Sequence, residues 1–287
     1  MTPAAHLADK RARLFTCARR AGRARLCVLA ALLLAACAGG PTEPENARLA
    51  QAVDSHRRGE AALKQGDYRK ALVLYEAALR ADLSIENLDG VAINSINLAR
   101  VHQLLGENAL AHQRLDALLN AGAPFTREHL AAARLRKALL YHAAGDLDGA
   151  SSWAGQAADL CKDSSCAWQG TLLNLRARLA LARSDVAGAL VLAGQALALN
   201  RGRAAREETA NSLRLQAEAH LGLKQFTAAL APLLEALSLD KALGLSERIE
   251  RDLRHLAEAH AGLGNADEAR MFHARASRVA KQQMSVD

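Results

Sequence analysis

The residues of this chain that could do chemistry are its ten histidines, its five cysteines and a scatter of carboxylates. His255 and His260 are five residues apart, which is not the spacing of two metal ligands on one face of a helix. The sequence contains no Gly-x-Ser-x-Gly, no His-Glu-x-x-His and no glycine-rich phosphate loop. The pattern therefore predicts no catalytic residue, no metal site and no cofactor.

The N-terminal segment ends in a cysteine whose context indicates lipid attachment. Residues 1–25 are basic, and residues 26–36 form an apolar run of 11 residues, whereas a membrane-spanning helix needs about 20. The sequence Leu34-Ala35-Ala36-Cys37 resembles the bacterial lipoprotein box, in which the final cysteine is acylated and becomes the first residue. The alternative is an ordinary signal peptide followed by an incidental cysteine. We expect a signal peptide at 1–36, a lipidated Cys37 with a flexible tether at 37–46, and a folded domain at 47–287.

Cleavage before Cys37 would leave two further cysteines, Cys161 and Cys166. An even pair of cysteines in an exported protein indicates a disulfide. The loop between them is short, so the expected entropic stabilisation is only about 2 kcal/mol. Two free thiols are the alternative, because a loop at the end of a helix can hold the two sulfurs apart.

Processing at Cys37 also changes the charge of the chain. The full sequence has 37 Lys and Arg against 30 Asp and Glu, a formal net charge of +7. Seven of the basic residues and one of the acidic residues lie within residues 1–36, so the remainder is close to neutral. Nucleic-acid binding depends on a concentrated basic face, and the sequence therefore predicts no nucleic-acid partner.

The rest of the chain is organised by a repeat of about 40 residues. One alanine recurs at intervals of 39 or 40 residues, as Ala71, Ala111, Ala150, Ala189, Ala229 and Ala269. In a pair such as Gly66-Asp67, glycine can end one helix in a left-handed conformation, and Asp can cap the next helix. Small residues let two antiparallel helices approach closely. We therefore expect each repeat to form a pair of helices that touch at these alanine positions.

The first repeat carries a recognisable motif. Residues 59–78, with Gly59, Gly66-Asp67-Tyr68, Ala71, Tyr75 and Ala78, resemble a tetratricopeptide repeat. The resemblance extends over roughly residues 47–280, although the period exceeds the standard 34 residues. It implies an all-α fold, a right-handed solenoid of six helix-turn-helix repeats stacked into one continuous core.

In the tetratricopeptide family the first helix of each repeat lines a groove that holds a peptide or a partner's helix. Carried over by register, this resemblance points to polar groups suited to binding a peptide backbone or a carboxylate. They are Asn97, Arg100, Asn174, Arg178, Asn211, Arg214 and Arg254. We expect the arginines on exposed faces of the first helices; ordinary solvated positions are the alternative interpretation.

Together these features predict a lipid-anchored scaffold on the periplasmic face of the outer membrane, binding another envelope protein or peptide. Ala38 follows the lipidated cysteine, where an Asp would favour retention in the inner membrane. The plan is similar to that of pilotin lipoproteins and of the repeat-bearing lipoprotein of outer-membrane barrel assembly. An envelope enzyme is the first alternative, and it would need a clustered acid–base pair. A small-ligand receptor is the second, and only 3% of the residues are aromatic.

Overall fold

The computed structural model describes residues 46–162 and 166–283. The chain divides into two units, residues 1–50 and 51–287. In the first unit the structure describes only residues 46–50, and the first helix begins at Ala47. The described residues form twelve α-helices and no strand. The helices are α1 (Ala47–Lys64), α2 (Tyr68–Ser84), α3 (Leu88–Leu104), α4 (Asn108–Leu119), α5 (Arg127–Ala143), α6 (Leu147–Leu160), α7 (Gln169–Ala182), α8 (Val186–Gly202), α9 (Arg206–Gly222), α10 (Phe226–Leu243), α11 (Ser246–Gly262) and α12 (Ala266–Gln283).

The turn inside each repeat has the local chemistry that the sequence predicts. The residue after each first helix adopts a left-handed conformation, with φ of 80° at Gly66 and 63° at Ser184, where glycine is absent. In three of the repeats the following residue is Asp67, Asp146 or Asp185, whose side chain accepts a hydrogen bond from a main-chain N–H of the second helix, as in Asp146 from Gly149 N at 2.7 Å. This combination ends one helix and begins the next within three residues. Glu107 and Gln225, at the same position in two other repeats, form no such bond. The predicted helix pairs are confirmed.

Small residues lie where the two helices of a repeat cross. Ala71, Ala111, Ala150, Ala189 and Ala229 are completely buried, and Ala269 is 7% exposed. A Cβ added at Gly59 would lie 3.1 Å from the ring of Tyr75, closer than ordinary van der Waals contact. The first repeat therefore packs an aromatic ring against a glycine. The solenoid of helix pairs is confirmed.

The helices form an inner and an outer layer. From α3 onward, the backbones of successive first helices (α3, α5, α7, α9, α11) come into contact with one another. Successive second helices do not come this close, and meet only through long side chains, such as Arg201 and Glu235 at 2.5 Å. A stack that is tighter on the side of the first helices curves toward that side, so the first helices line the inner, concave layer. No helix in the described part of the chain is long and apolar enough to cross a bilayer.

Candidate functional site: the inner helix layer

The structure separates the seven polar residues that the sequence assigns to the groove into two groups. Asn97 and Arg100 on α3, Arg178 on α7 and Asn211 on α9 are half-buried, and Arg254 on α11 is exposed and paired with Glu250 of the same helix. Asn174 and Arg214 are instead buried, at 3% and 2% exposure. The expectation that these two side chains face a groove is wrong.

Arg214 lies at the junction between the fifth and sixth repeats and bonds to two buried carboxylates. Its Nε donates to Asp252 Oδ1 at 2.6 Å, its Nη2 donates to Asp240, and its Nη1 donates to Asn211 Oδ1 at 3.0 Å. Burial raises the pKa of both carboxyls against the opposing effect of the guanidinium, and the pKa of Asp252 reaches about 6. Arg214 therefore holds two repeats together.

Asn174 has the same role one repeat earlier. Its amide nitrogen donates to the Glu208 main-chain oxygen at 3.1 Å and to Glu208 Oε2 at 2.8 Å. Its amide oxygen accepts from the Ser212 hydroxyl at 2.7 Å, and Ser212 in turn accepts from Asn200 at 3.0 Å. Both the nitrogen and the oxygen of the Asn174 amide form hydrogen bonds between repeats, so this side chain is not available to a partner.

These contacts belong to a recurring arrangement that we call the junction clusters. The six recurring alanines from Ala71 to Ala269, where the two helices of a repeat cross, serve as reference positions and are called the crossing alanines. Each cluster has one residue fifteen positions before a crossing alanine and one residue eleven positions after it. Its third residue lies seventeen positions before the crossing alanine of the next repeat. The clusters are His56–Asp82–Asn94, Asn174–Asn200–Ser212 and Arg214–Asp240–Asp252. Arg254 occupies the first of these positions in the sixth repeat, and the described residues include no seventh repeat to cover it.

The cysteine pair takes the place of a polar cluster at another junction. Cys161 lies eleven positions after Ala150, in the register of Asp82 and Asp240. The structure joins Cys161 to Cys166, with Cα atoms 5.3 Å apart, and both cysteines are buried. At this junction a disulfide and apolar packing replace hydrogen bonds. Residues 163–165 of the intervening loop lie outside the described residues, as does Cys37.

Two arginines of the inner layer were missed by the sequence-based prediction, Arg136 on α5 and Arg251 on α11. Arg136 is half-buried, and its Nε is buried without a hydrogen-bond partner among the described residues. Burial, and then the nearby charge of Arg100, lower the pKa of Arg136 to about 10, while Glu208 acts in the opposite direction. A guanidinium surrounded by protein yet open to solvent on one side is typical of the floor of a groove.

Arg178, half-buried on α7, and Arg251, exposed on α11, extend this set of arginines. Burial lowers the pKa of Arg178, Glu218 opposes that effect, and the charge of Arg251 adds to it. Within the described part of the chain, no carboxylate oxygen lies within 4 Å of the guanidinium of Arg100, Arg136, Arg178 or Arg251. We call these four residues the inner basic row. Arg100 acts electrostatically on Arg136, and Arg251 acts on Arg178.

The inner layer also carries carboxylates, and Glu60 and Glu258 lie in the same repeat column as Arg100 and Arg178. Glu208 is held by Asn174 and acts on both Arg136 and Arg178. Burial raises the pKa of Glu218 against the effect of the neighbouring arginines. Burial and adjacent arginines lower the pKa of His142, and lower that of His255 to about 4. Both histidines are therefore neutral at pH 7, so the charge of this surface comes from its arginines and its carboxylates.

The geometry does not resemble a catalytic or metal centre. No group of three or more His, Cys, Asp or Glu side chains within residues 46–162 and 166–283 is arranged to hold a metal ion. His102 and His220, which share a sequence column, bond to Glu107 and Gln225 at 2.8 Å in the turns that follow their helices. These contacts fix helix ends, in agreement with a structural role.

Comparison with known proteins identifies the fold. No protein-family model matches the chain, and no curated protein matches it. Among solved structures, a Rap protein complexed with competence and sporulation factor superposes with a TM-score of 0.60 at 12% identity, covering 80% of this chain and 66% of that one. The pilF protein of Pseudomonas aeruginosa gives 0.56 at 16%, covering 84% and 100%. TPR-like repeats of a kinesin light chain from Podospora anserina give 0.51 at 21%, covering 66% and 95%.

Likeness at these identities shows the fold alone. The chain is similar to solenoids of tetratricopeptide type, and the all-α repeat architecture that the sequence predicts is confirmed.

Proposed function

We propose that this protein is an exported lipoprotein, a scaffold rather than an enzyme. The lipid on Cys37 anchors it to the periplasmic face of the outer membrane. The signal peptide occupies residues 1–36, the tether 37–46 and the repeat domain 47–287. The inner helix layer binds another envelope protein or peptide. Support for the anchor comes from the apolar run and the Leu-Ala-Ala-Cys sequence that precede the repeats.

The single observation that carries the binding role is the inner basic row. Arg100, Arg136 and Arg178 are half-buried, and Arg251 is exposed. Water screens the repulsion between like charges less at a half-buried site than at the outer surface. Arg100 lowers the pKa of Arg136, and Arg251 lowers that of Arg178. A partner that brings negative or hydrogen-bond-accepting groups relieves this repulsion. A solenoid used only as a spacer has no need of such a row.

The similar structures lend general support. One of them is a Rap protein solved in complex with competence and sporulation factor, so a related solenoid forms a complex with another molecule.

The anchor is tested by metabolic labelling with a palmitate analogue. We expect label on the wild-type protein and on a Cys17→Ser control, which alters a cysteine upstream of the cleavage site. We expect none on Cys37→Ser, and a redistribution of that variant out of the outer-membrane fraction. Unchanged labelling of Cys37→Ser would show that Cys37 is not the acylated residue.

The binding surface is tested by cross-linking in cells followed by purification from solubilised membranes. We expect Arg178→Glu to lose the cross-linked partner while retaining helical circular dichroism. The matched control is Arg69→Glu, an exposed arginine on the outer helix α2. Retention of the partner by a folded Arg178→Glu variant would exclude the inner layer as the binding surface.

A further inference from the structure

We infer that the two ends of the helix stack fit one another, so that a second copy of this chain continues the stack. The first helix of the sixth repeat, α11, would then pack against the first helix of the first repeat, α1, of the second copy. This inference goes beyond the proposed function, because it uses the ends of the stack and does not involve the inner basic row.

The contacts between repeats inside the chain provide the template. At three junctions the residue fifteen positions before a crossing alanine contacts the residue seventeen positions before the next crossing alanine. The contacting atoms are His56 Nδ1 and Asn94 Oδ1 at 2.8 Å, Asn174 Oδ1 and Ser212 Oγ at 2.7 Å, and Arg214 Nε and Asp252 Oδ1 at 2.6 Å. These two columns therefore face each other wherever both carry polar residues at a junction of the described repeats.

A second pair of columns meets at the same kind of junction. Glu218, eleven positions before its crossing alanine, lies 3.8 Å from His255, which is fourteen positions before the next crossing alanine. Arg100 and Arg136 occupy these two columns at another junction, where burial and then the charge of Arg100 lower the pKa of Arg136. Stacking of the repeats thus brings two pairs of columns together between successive first helices.

The last first helix presents two charges in these columns. Arg254 and Glu258 on α11 lie fifteen and eleven positions before Ala269, and both are exposed. Arg254 pairs with Glu250 of its own helix. Among the described residues no seventh repeat covers this surface, and we call Arg254 and Glu258 the C-terminal end face.

The first helix presents the opposite charges in the matching columns. Asp54 and Arg57 on α1 lie seventeen and fourteen positions before Ala71. Their side chains are 48% and 75% exposed, and they pair with one another at 2.7 Å. Within residues 46–162 no repeat precedes α1, and we call Asp54 and Arg57 the N-terminal end face.

Stacking of two copies would reproduce the internal register with opposite charges at both contacts. Arg254 of one copy would face Asp54 of the second copy, in the register of the Arg214 cluster. Glu258 would face Arg57 of the second copy in the same way. Such a contact is head-to-tail, so it continues as an open chain unless its rotation closes a ring. Because exposed ion pairs are individually weak and are screened by salt, we expect the association to be weak and salt-sensitive.

The test is analytical ultracentrifugation of the full mature chain in a density-matched non-ionic detergent. We expect association to develop between about 10 μM and 1 mM, since exposed ion pairs give weak contacts, and to be lost in about 1 M salt. We expect Arg254→Asp and Asp54→Arg each to weaken association about tenfold, because each sets like charges against one another.

Two controls make the test specific. An equimolar mixture of the Arg254→Asp and Asp54→Arg variants should associate as the wild-type protein does, because each variant supplies the charge that the other requires. Arg69→Asp, at an exposed position of the outer helix α2, should leave association unchanged. All variants carry the same anchor, so copies that merely share a micelle would not respond to these substitutions. Circular dichroism confirms that each variant is folded.

Three results would overturn the inference. A monomer at every concentration would show that both end faces are solvated caps of the stack. Association that survives both charge reversals would place the contact between copies elsewhere. Failure of the mixed variants to restore association would show that Arg254 and Asp54 do not face one another. Each of these results would leave the proposed binding surface standing, because that surface is tested separately by Arg178→Glu.

Discussion

The replacement Arg214→Met removes the charged centre of the last junction cluster and should destabilise the protein severely. The guanidinium lies 2.6 Å from Asp252, also bonds to Asp240, and none of the three residues is more than 2% exposed. Methionine fills much of the same volume but leaves two buried carboxylates without their cation. Breaking a buried ion pair in this way costs about 3–5 kcal/mol, against a total stability of about 5–15 kcal/mol for a domain.

The loss should also depend on pH. Burial raises the pKa of Asp252 to about 6 in the folded wild-type protein, from an ordinary value of 3.8. A carboxyl with a raised pKa contributes stability that is fully present below about pH 4 and is lost as the pH rises through about 6. Removing the guanidinium raises the folded-state pKa further, because the guanidinium favours the charged form. We therefore expect the destabilisation by Arg214→Met to be smaller at pH 5 than at pH 7.5.

The assay is urea denaturation followed by circular dichroism at both pH values. The matched control is Arg178→Met, because Arg178 also lies on a first helix but has no carboxylate within 4 Å among the described residues. We expect that control to shift stability by less than about 1 kcal/mol. Equal losses in the two variants, or a loss for Arg214→Met that does not change with pH, would refute the assignment of Arg214 to the junction.

Three further outcomes are expected. Ala189→Leu should destabilise the protein by about 1–3 kcal/mol through overpacking of a completely buried crossing, whereas Ala187→Leu at an exposed position should have little effect; equal melting shifts would contradict the register. Reducing the Cys161–Cys166 bond, or replacing both cysteines by serine, should lower stability by about 2 kcal/mol, measured by thermal melting with and without reductant. The His255 imidazole should titrate near pH 4 by NMR, because burial and then the charges of Arg214 and Arg251 disfavour its protonation. This lowered pKa makes the stability of the protein fall as the pH decreases from about 6.5 to 4. Titration of His255 near pH 6.5 would contradict its burial.

The helix pairs were predictable because their signals are local. A crossing alanine needs only a small side chain at the point of contact, and a left-handed residue followed by Asp ends one helix and caps the next. Ser184 and Lys224 adopt the left-handed conformation without glycine, since the helices on either side constrain them. The period of 39 or 40 residues therefore predicts the number and order of the helices directly from the sequence.

The positions of the seven candidate groove residues were predicted only in part. Arg100 and Arg178 belong to the inner basic row, whereas Asn174 and Arg214 lie inside the junction clusters. The signal that could have placed them was present, because Asn200, Ser212, Asp240 and Asp252 recur in fixed columns relative to the crossing alanines. Arg136 shares its repeat column with Arg57 and Asn97, and Arg251 shares its column with Asn211, so the signal that could have found these two arginines was also present.

The sequence by itself determined the repeat, the helix boundaries and the small residues that let the helices meet, since each depends on neighbours within one repeat. Only the tertiary structure decided which polar side chains are buried between repeats and which remain accessible on the inner layer. Asn174, Arg214 and Arg254 occupy one register. The first two are buried because the following repeat brings hydrogen-bonding partners to them, and the third is exposed because no described repeat covers it. The physical reason is that burial of a side chain depends on residues almost 40 positions away, which contact it only after the repeats have stacked.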